Sequence, residues 1–125
     1  MEIAGIGLDI VEIPRLRKII RKNPEFIARA FTESEIRYCS QKRDNISCLA
    51  LRFAAKEAIF KALSTGLNGF SWQMIEIVSD NGKPEAILYS DLRQYVQDAD
   101  IGMFEISLTT SDNIAAAVAI AIKNK

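Results

Sequence analysis

The chain has 125 residues, 49% of them hydrophobic and 26% charged, which suits one folded domain over residues 1–125 and excludes a disordered chain. Its net charge is zero but unevenly spread: residues 1–61 carry 12 basic against 8 acidic side chains, and residues 62–125 carry 4 against 8, so the first half suits an anionic partner. Histidine is absent, which excludes Ser-His-Asp and Cys-His nucleophiles and leaves acid–base work to Asp, Glu, Lys, Tyr or metal-bound water.

Residues 3–10 read as a strand. Ile3, Gly5, Gly7 and Asp9 share one face; Ala4, Ile6, Leu8 and Ile10 share the other, which is expected to be core. The glycine face leads to a carboxylate and leaves room for something to approach the backbone, either a ligand or a closely packed helix. Pro14 opens a helix over 13–22 with Ile13, Leu16, Ile19 and Ile20 on one side and Arg15, Arg17, Lys18, Arg21 and Lys22 on the other; Pro24 ends it. Thr32 and Glu35 form a capping box for a helix over about 33–42. Cys39 and Cys48 make no CxxC motif and are expected as reduced, partly buried thiols.

Asn45 caps a longer helix, about 46–64, that ends at Gly66. Strands follow over 73–79 and 85–89, joined at the turn Asn81-Gly82-Lys83-Pro84. Ser90 caps a short helix over 91–98, and the last two strands span 103–109 and 114–122 with a turn at Thr110–Asn113. The final strand is apolar throughout and should lie buried; its nine-residue run, Ile114–Ile122, is far short of the ~20 residues of a membrane helix. With no basic, apolar leader, a signal peptide is not expected and a cytoplasmic location is. The pattern is α+β: an N-terminal strand and helices, one long central helix, then an antiparallel sheet.

The helix around Arg52-Phe53-Ala54-Ala55-Lys56-Glu57-Ala58-Ile59-Phe60-Lys61 carries the chemistry. It is apolar nearly all round and should be buried, yet burying a carboxylate or ammonium costs several kcal/mol unless it is paired or meets a charged ligand. Glu57 and Lys61 are one turn apart and can pair, as can Arg52 and Lys56 on another side. Set beside Asp9, Glu57 would complete a hard-oxygen site for Mg²⁺, which takes one or two carboxylates and fills its shell with water and phosphate oxygens. Arg52, Lys56 and Lys61 then read as phosphate ligands, and Glu57 and Lys61 should face solvent.

Two motifs carry a family resemblance. Gly5-Ile6-Gly7-Leu8-Asp9-Ile10-Val11-Glu12-Ile13 with Arg15, followed by Arg52-Phe53-Ala54-Ala55-Lys56-Glu57-Ala58 and Lys61, resembles the 4′-phosphopantetheinyl transferase superfamily, and within it the short bacterial holo-acyl-carrier-protein synthase type. The Thr65-Gly66 turn, the hairpin Asn81-Gly82-Lys83-Pro84 and the strand Ile106-Ser107-Leu108-Thr109 fall in that family's order. The resemblance implies the family's α+β fold and Mg²⁺-dependent transfer of phosphopantetheine from coenzyme A to a serine of apo-acyl carrier protein, a step serving fatty acid biosynthesis. It implies Asp9 and Glu57 as metal ligands, Lys61 on the transferred or leaving phosphate, and Arg52, Lys56, Thr65 and Gly66 on coenzyme A phosphates. It also implies a homotrimer with active sites between subunits, where Gly82, Lys83 and Pro84 reach a neighbour's nucleotide.

The basic helix Arg15, Arg17, Lys18, Arg21 and Lys22 is either a solvated face or a docking face for an acidic carrier protein. Nucleic acid and membrane partners are not expected, because the face lacks interleaved aromatics and the helix is short. One departure is clear: the family's strand-end histidine is replaced by Thr110 and Ser111. Its absence gives some support to an alternative, a non-catalytic module that binds coenzyme A or the carrier protein. A third possibility, an unrelated α+β oligomerisation domain, leaves both motifs unexplained.

Overall fold

The computed structural model describes residues 1–79 and 82–125. Eleven elements follow in order, ten of them strands or α-helices: β1 (Ile3–Glu12), α1 (Ile13–Lys22), α2 (Glu25–Ala30), α3 (Glu33–Ser40), α4 (Asn45–Leu63), a 3₁₀ turn (Trp72–Met74), β2 (Ile75–Val78), β3 (Glu85–Leu88), α5 (Ser90–Asp98), β4 (Ile101–Thr110) and β5 (Ile114–Lys123). The α+β architecture is the expected one. β1, β5 and β4 form an antiparallel sheet in that spatial order, and β2 pairs with β3 in a separate antiparallel ribbon. The apolar last strand takes the central place in the larger sheet, hydrogen-bonded on both sides.

Helix α4 is the axis of the molecule. Ala54, Ala55, Ala58, Ile59 and Phe60 are all buried, between the three-stranded sheet on one side and α1–α3 and β2 on the others. It lies unusually close to β1. A Cβ added at Gly7 would fall 2.0 Å from the Ala58 carbonyl oxygen, and one at Gly5 would fall 2.0 Å from that of Ala62. The strand opposite continues the small-residue surface: Gly5 pairs with Ala121, Gly7 with Ala119 and Asp9 with Ala117. The space left by the glycines is therefore filled by helix backbone.

That contact inverts one expectation. Ile6, Leu8 and Ile10 are not core; they are 65%, 60% and 59% exposed on the outer face of the sheet. Alternation predicts a two-faced strand but not which face meets the helix, and here backbone proximity outranked side-chain bulk. Val118 and Ile120, opposite Leu8 and Ile6 on β5, extend this apolar outer face.

The helix boundaries show further differences. The Thr32–Glu35 capping box forms as expected, with Thr32 N–H donating to Glu35 Oε1 at 2.9 Å and Glu35 N–H to Thr32 Oγ1 at 3.2 Å. Helix α4 is capped by Asp44, one residue before the expected Asn45; Asp44 Oδ1 accepts from Ser47 N–H at 3.1 Å. A carboxylate is the better acceptor at the positive end of a helix. The segment after Pro24 forms α2, which the sequence pattern did not predict; Pro24 starts it rather than merely ending α1. Ser90 does not cap α5: it takes a left-handed φ of 56° and the helix begins without a side-chain cap. Asp80 and Asn81 of the expected hairpin turn lie outside the described residues.

Cys39 and Cys48 are joined as a disulfide with a Cα–Cα distance of 5.5 Å, contrary to the expected free thiols. The bridge ties the last turn of α3 to the first turn of α4. No helix among the described residues is long and apolar enough to cross a membrane.

Candidate active site

The closeness of β1 and α4 sets the site. Two residues along β1, from Gly5 to Gly7, correspond to one turn back along α4, from Ala62 to Ala58. Asp9 follows on the same face of β1. Lys61 reaches across this seam. Its Nζ donates to the Leu8 carbonyl at 2.9 Å and to Asp9 Oδ1 at 3.1 Å. Asp9 is mostly covered, whereas the Lys61 side chain is 57% exposed. The i,i+4 spacing suggested a Glu57–Lys61 pair; the lysine instead pairs with a carboxylate far away in the chain.

Glu57 is partly buried and has another partner. The Trp72 indole Nε1–H donates to its Oε2 at 2.9 Å. Among the described residues no hydrogen bond engages Oε1, so one carboxylate oxygen is held and the other is available. Asp9 and Lys61 thus meet at the β1–α4 seam, Glu57 stands one helical turn from Lys61, and both Glu57 and Lys61 reach solvent as expected. The donor set fits Mg²⁺ chemically: carboxylate oxygens, no thiol or imidazole. No cluster of three or more metal-binding side chains occurs among the described residues, so a hard cation here would need oxygens from a ligand or water to complete its shell.

The other predicted site residues are not all together. Lys56 is fully buried, its Nζ bonded to Glu35 Oε1 at 2.6 Å, the Ala30 carbonyl at 2.8 Å and the Trp72 carbonyl at 3.1 Å. All three of its protons are spoken for. Burial pushes its ammonium below the usual lysine range, against the opposing pull of the Glu35 carboxylate. The phosphate-ligand role expected for Lys56 is therefore corrected: it is a structural cation.

Arg52 is also buried, stacked 4.4 Å over the Tyr38 ring, but its Nε has no hydrogen-bond partner. It lines a cavity of about 180 Å³ with Ser34, Tyr38, Glu76 and Ser79, on a different side of α4 from Glu57. Lys42 lies 4.6 Å over the same ring, and its hydrogen bond holds the Tyr38 hydroxyl below the usual phenol range. Arg52 Nη1 donates to Cys48 Sγ at 3.4 Å, and the Glu35 and Glu76 carboxylates line the same cavity. Sequence reasoning missed Lys42 and Tyr38, because helix spacing alone does not connect α3 to α4.

Thr65 and Gly66 form an exposed turn past α4; Gly66 has a φ of 58°, a conformation glycine adopts freely. Lys83 and Pro84 stand at the base of the β2–β3 ribbon, where Lys83 Nζ pairs with Glu105 Oε2 at 2.6 Å, and Gly82 adjoins them. They border a cavity of about 660 Å³ between β3, α5 and β4. Thr110 ends β4, its hydroxyl turned to the Ile114 carbonyl at 3.2 Å. Arg15, Arg17, Lys18, Arg21 and Lys22 are all exposed on α1.

Residues 5–119 match the family model described as the 4′-phosphopantetheinyl transferase superfamily. The chain belongs to that superfamily. It is 44% identical over 115 residues to the holo-[acyl-carrier-protein] synthase of Moorella thermoacetica, covering 91% of this chain and 90% of the relative. Its fold is that of the crystal structure of the Neisseria meningitidis holo-[acyl-carrier-protein] synthase, with a TM-score of 0.91 and 34% identity over 98% of this chain and all of that one. The Helicobacter pylori enzyme of the same name, solved in complex with coenzyme A, matches with a TM-score of 0.79 and 32% identity over 93% of this chain and 98% of its own. Within the superfamily fold, the seam of Asp9, Glu57 and Lys61 joins the first strand to the central helix.

Proposed function

We propose that this chain is a holo-acyl-carrier-protein synthase, transferring 4′-phosphopantetheine from coenzyme A to a serine of apo-acyl carrier protein and releasing adenosine 3′,5′-bisphosphate. The observation that carries this reading is the Asp9–Lys61 contact, with the half-held Glu57 carboxylate one helical turn from that exposed ammonium. The serine Oγ forms a bond to the phosphorus that bears the pantetheine arm. The bond from that phosphorus to the leaving bisphosphate oxygen breaks, and the serine proton passes to a base; with no histidine in the chain, a site carboxylate and a metal-bound water are the candidates.

Asp9 and Glu57 would hold Mg²⁺, which supplies charge neutralisation on the pyrophosphate. Lys61, exposed and long, can swing from Asp9 to the leaving phosphate and offset its growing negative charge. Arg52, with Lys42 beside it, offers a phosphate ligand through its unpaired Nε–H, and the Thr65-Gly66 turn offers backbone groups. Thr110 and Ser111 stand where the family's histidine would be.

These groups are scattered over one chain, which favours sites completed between subunits. The homotrimer gains support from the exposed apolar face of Ile6, Leu8 and Ile10, an arrangement costly to leave in water. Gly82, Lys83 and Pro84 would then reach a neighbour's nucleotide. The basic face of α1 suits an acidic carrier protein, with Arg15, Arg17, Lys18, Arg21 and Lys22 as its cations.

Incubating the protein with apo-acyl carrier protein, coenzyme A and Mg²⁺ tests the reading by mass spectrometry. The carrier should gain about 340 Da, the mass of the covalent modification, at one serine. An unmodified cognate carrier would overturn the assignment.

A further inference from the structure

The chain contains one tryptophan, and its indole N–H points at Glu57. Trp72 is gripped from several sides. Its ring packs at centroid distances of 5.3 Å from Phe53 and 5.8 Å from Phe26. Its backbone carbonyl accepts from buried Lys56, and Lys56 is fixed by Glu35. Glu35 Oε2 in turn accepts the Ile77 N–H at 2.7 Å, so the same buried pair pins the strand that follows Trp72. Backbone and ring are both constrained, leaving Nε1–H as a donor of fixed direction.

We propose that Trp72 is a positioning residue for Glu57, and that the buried Glu35–Lys56 pair sets its placement. The indole holds Oε2 and fixes the carboxylate rotamer, so that Oε1 stays available to a divalent cation. This rests on the reading of Glu57 as a metal ligand. Packing alone does not require the arrangement: phenylalanine would fill the aromatic cluster but could not hold the carboxylate. A free glutamate samples several rotamers, and each must be given up when a cation binds. Outer partners of metal ligands typically matter by about 10–100-fold in affinity or activity.

The test compares the wild type with Trp72→Phe and with protein carrying β-(3-benzothienyl)alanine at position 72, an isostere of tryptophan that lacks the N–H. Mn²⁺ is titrated into each protein saturated with coenzyme A and no carrier, and free Mn²⁺ is read by electron paramagnetic resonance. Both replacements should weaken Mn²⁺ about tenfold, with coenzyme A affinity measured without metal unchanged. The wild type has a second readout: Mn²⁺ should quench its single tryptophan, and Glu57→Gln should abolish that quenching at the same concentrations. Mn²⁺ affinity within twofold of wild type in the benzothienyl protein overturns the positioning role while leaving Glu57 as a ligand. A wild type that binds Mn²⁺ equally well with and without Glu57→Gln overturns the ligand reading, and the proposal with it. If Trp72→Phe fails to fold, the benzothienyl protein, which keeps the ring volume, decides.

Discussion

Lys56 and Lys61 lie five residues apart on one helix, each paired with a carboxylate from another element, yet they do opposite work. The Lys56–Glu35 pair is sealed, both side chains almost fully buried, and every ammonium proton has an acceptor. The Lys61–Asp9 pair sits at the surface, with the lysine exposed and free to exchange partners. A buried ion pair earns little net stability, but breaking it leaves an uncompensated charge in a poor solvent. An exposed pair can be broken cheaply, which is what a residue that must move to an incoming phosphate needs. Burial, and not residue type or helix spacing, separates the sealed pair from the open one.

The sharpest way to break this comparison is Lys56→Met. It strands the Glu35 carboxylate in the core, and urea unfolding should show a loss of about 3–5 kcal/mol. Glu35→Gln added to Lys56→Met should recover part of that loss, because the stranded charge is gone, although the amide has one acceptor oxygen and keeps only one of the hydrogen bonds from Thr32 N–H and Ile77 N–H. If Lys56→Met instead folds as stably as wild type and loses coenzyme A affinity, Lys56 belongs to the site after all.

Lys61→Ala should do the reverse. Unfolding free energy should change by under about 1 kcal/mol, while kcat for carrier modification falls about 100-fold, the scale of losing one charge-stabilising group. A stability loss as large as that of Lys56→Met, with kcat retained, would make the two lysines alike and end the distinction.

How far the sequence could see depends on which of these regions is asked about. The order of strands and helices was legible because β1, α1, α4 and β5 carry clear periods and caps. The face of β1 was not: Gly5 and Gly7 look like open space in a string of letters, and only the Ala58 and Ala62 carbonyls against them reveal a helix. Asp9, Glu57 and Lys61 were legible as candidates, since the glycine-flanked carboxylate and the Lys-Glu helix are local patterns. Their actual partners were not. Lys61 pairs 52 positions away and Lys56 pairs 21 positions away, with a glutamate already accounted for by its capping box. One side chain serving two elements is a tertiary fact, invisible to spacing. Trp72 escaped for the same reason, its role being fixed by contacts from α4 and α2 rather than by its neighbours in sequence.

A third ion pair, with neither partner buried, extends the comparison, and there the effect should be smallest. Arg17 lies 3.5 Å from Asp44 Oδ1, each side chain about half exposed. Asp44 also caps α4, and hydrogen bonds from Ser47 hold its carboxyl below the usual range. A folded-state pKa below the unfolded one contributes stability that is present above the unfolded value and lost as pH falls through the folded one. Asp44→Ala should therefore cost about 1 kcal/mol at neutral pH, as a lost cap does, and flatten the acid side of the stability profile. Arg17→Ala should cost under about 0.5 kcal/mol, since it removes only a solvated partner, and should keep that acid slope. Chemical denaturation from pH 3 to 7 measures both. Equal losses in the two variants would mean that the exposed arginine does hold the cap, and that exposure does not rank the ion pairs of this molecule.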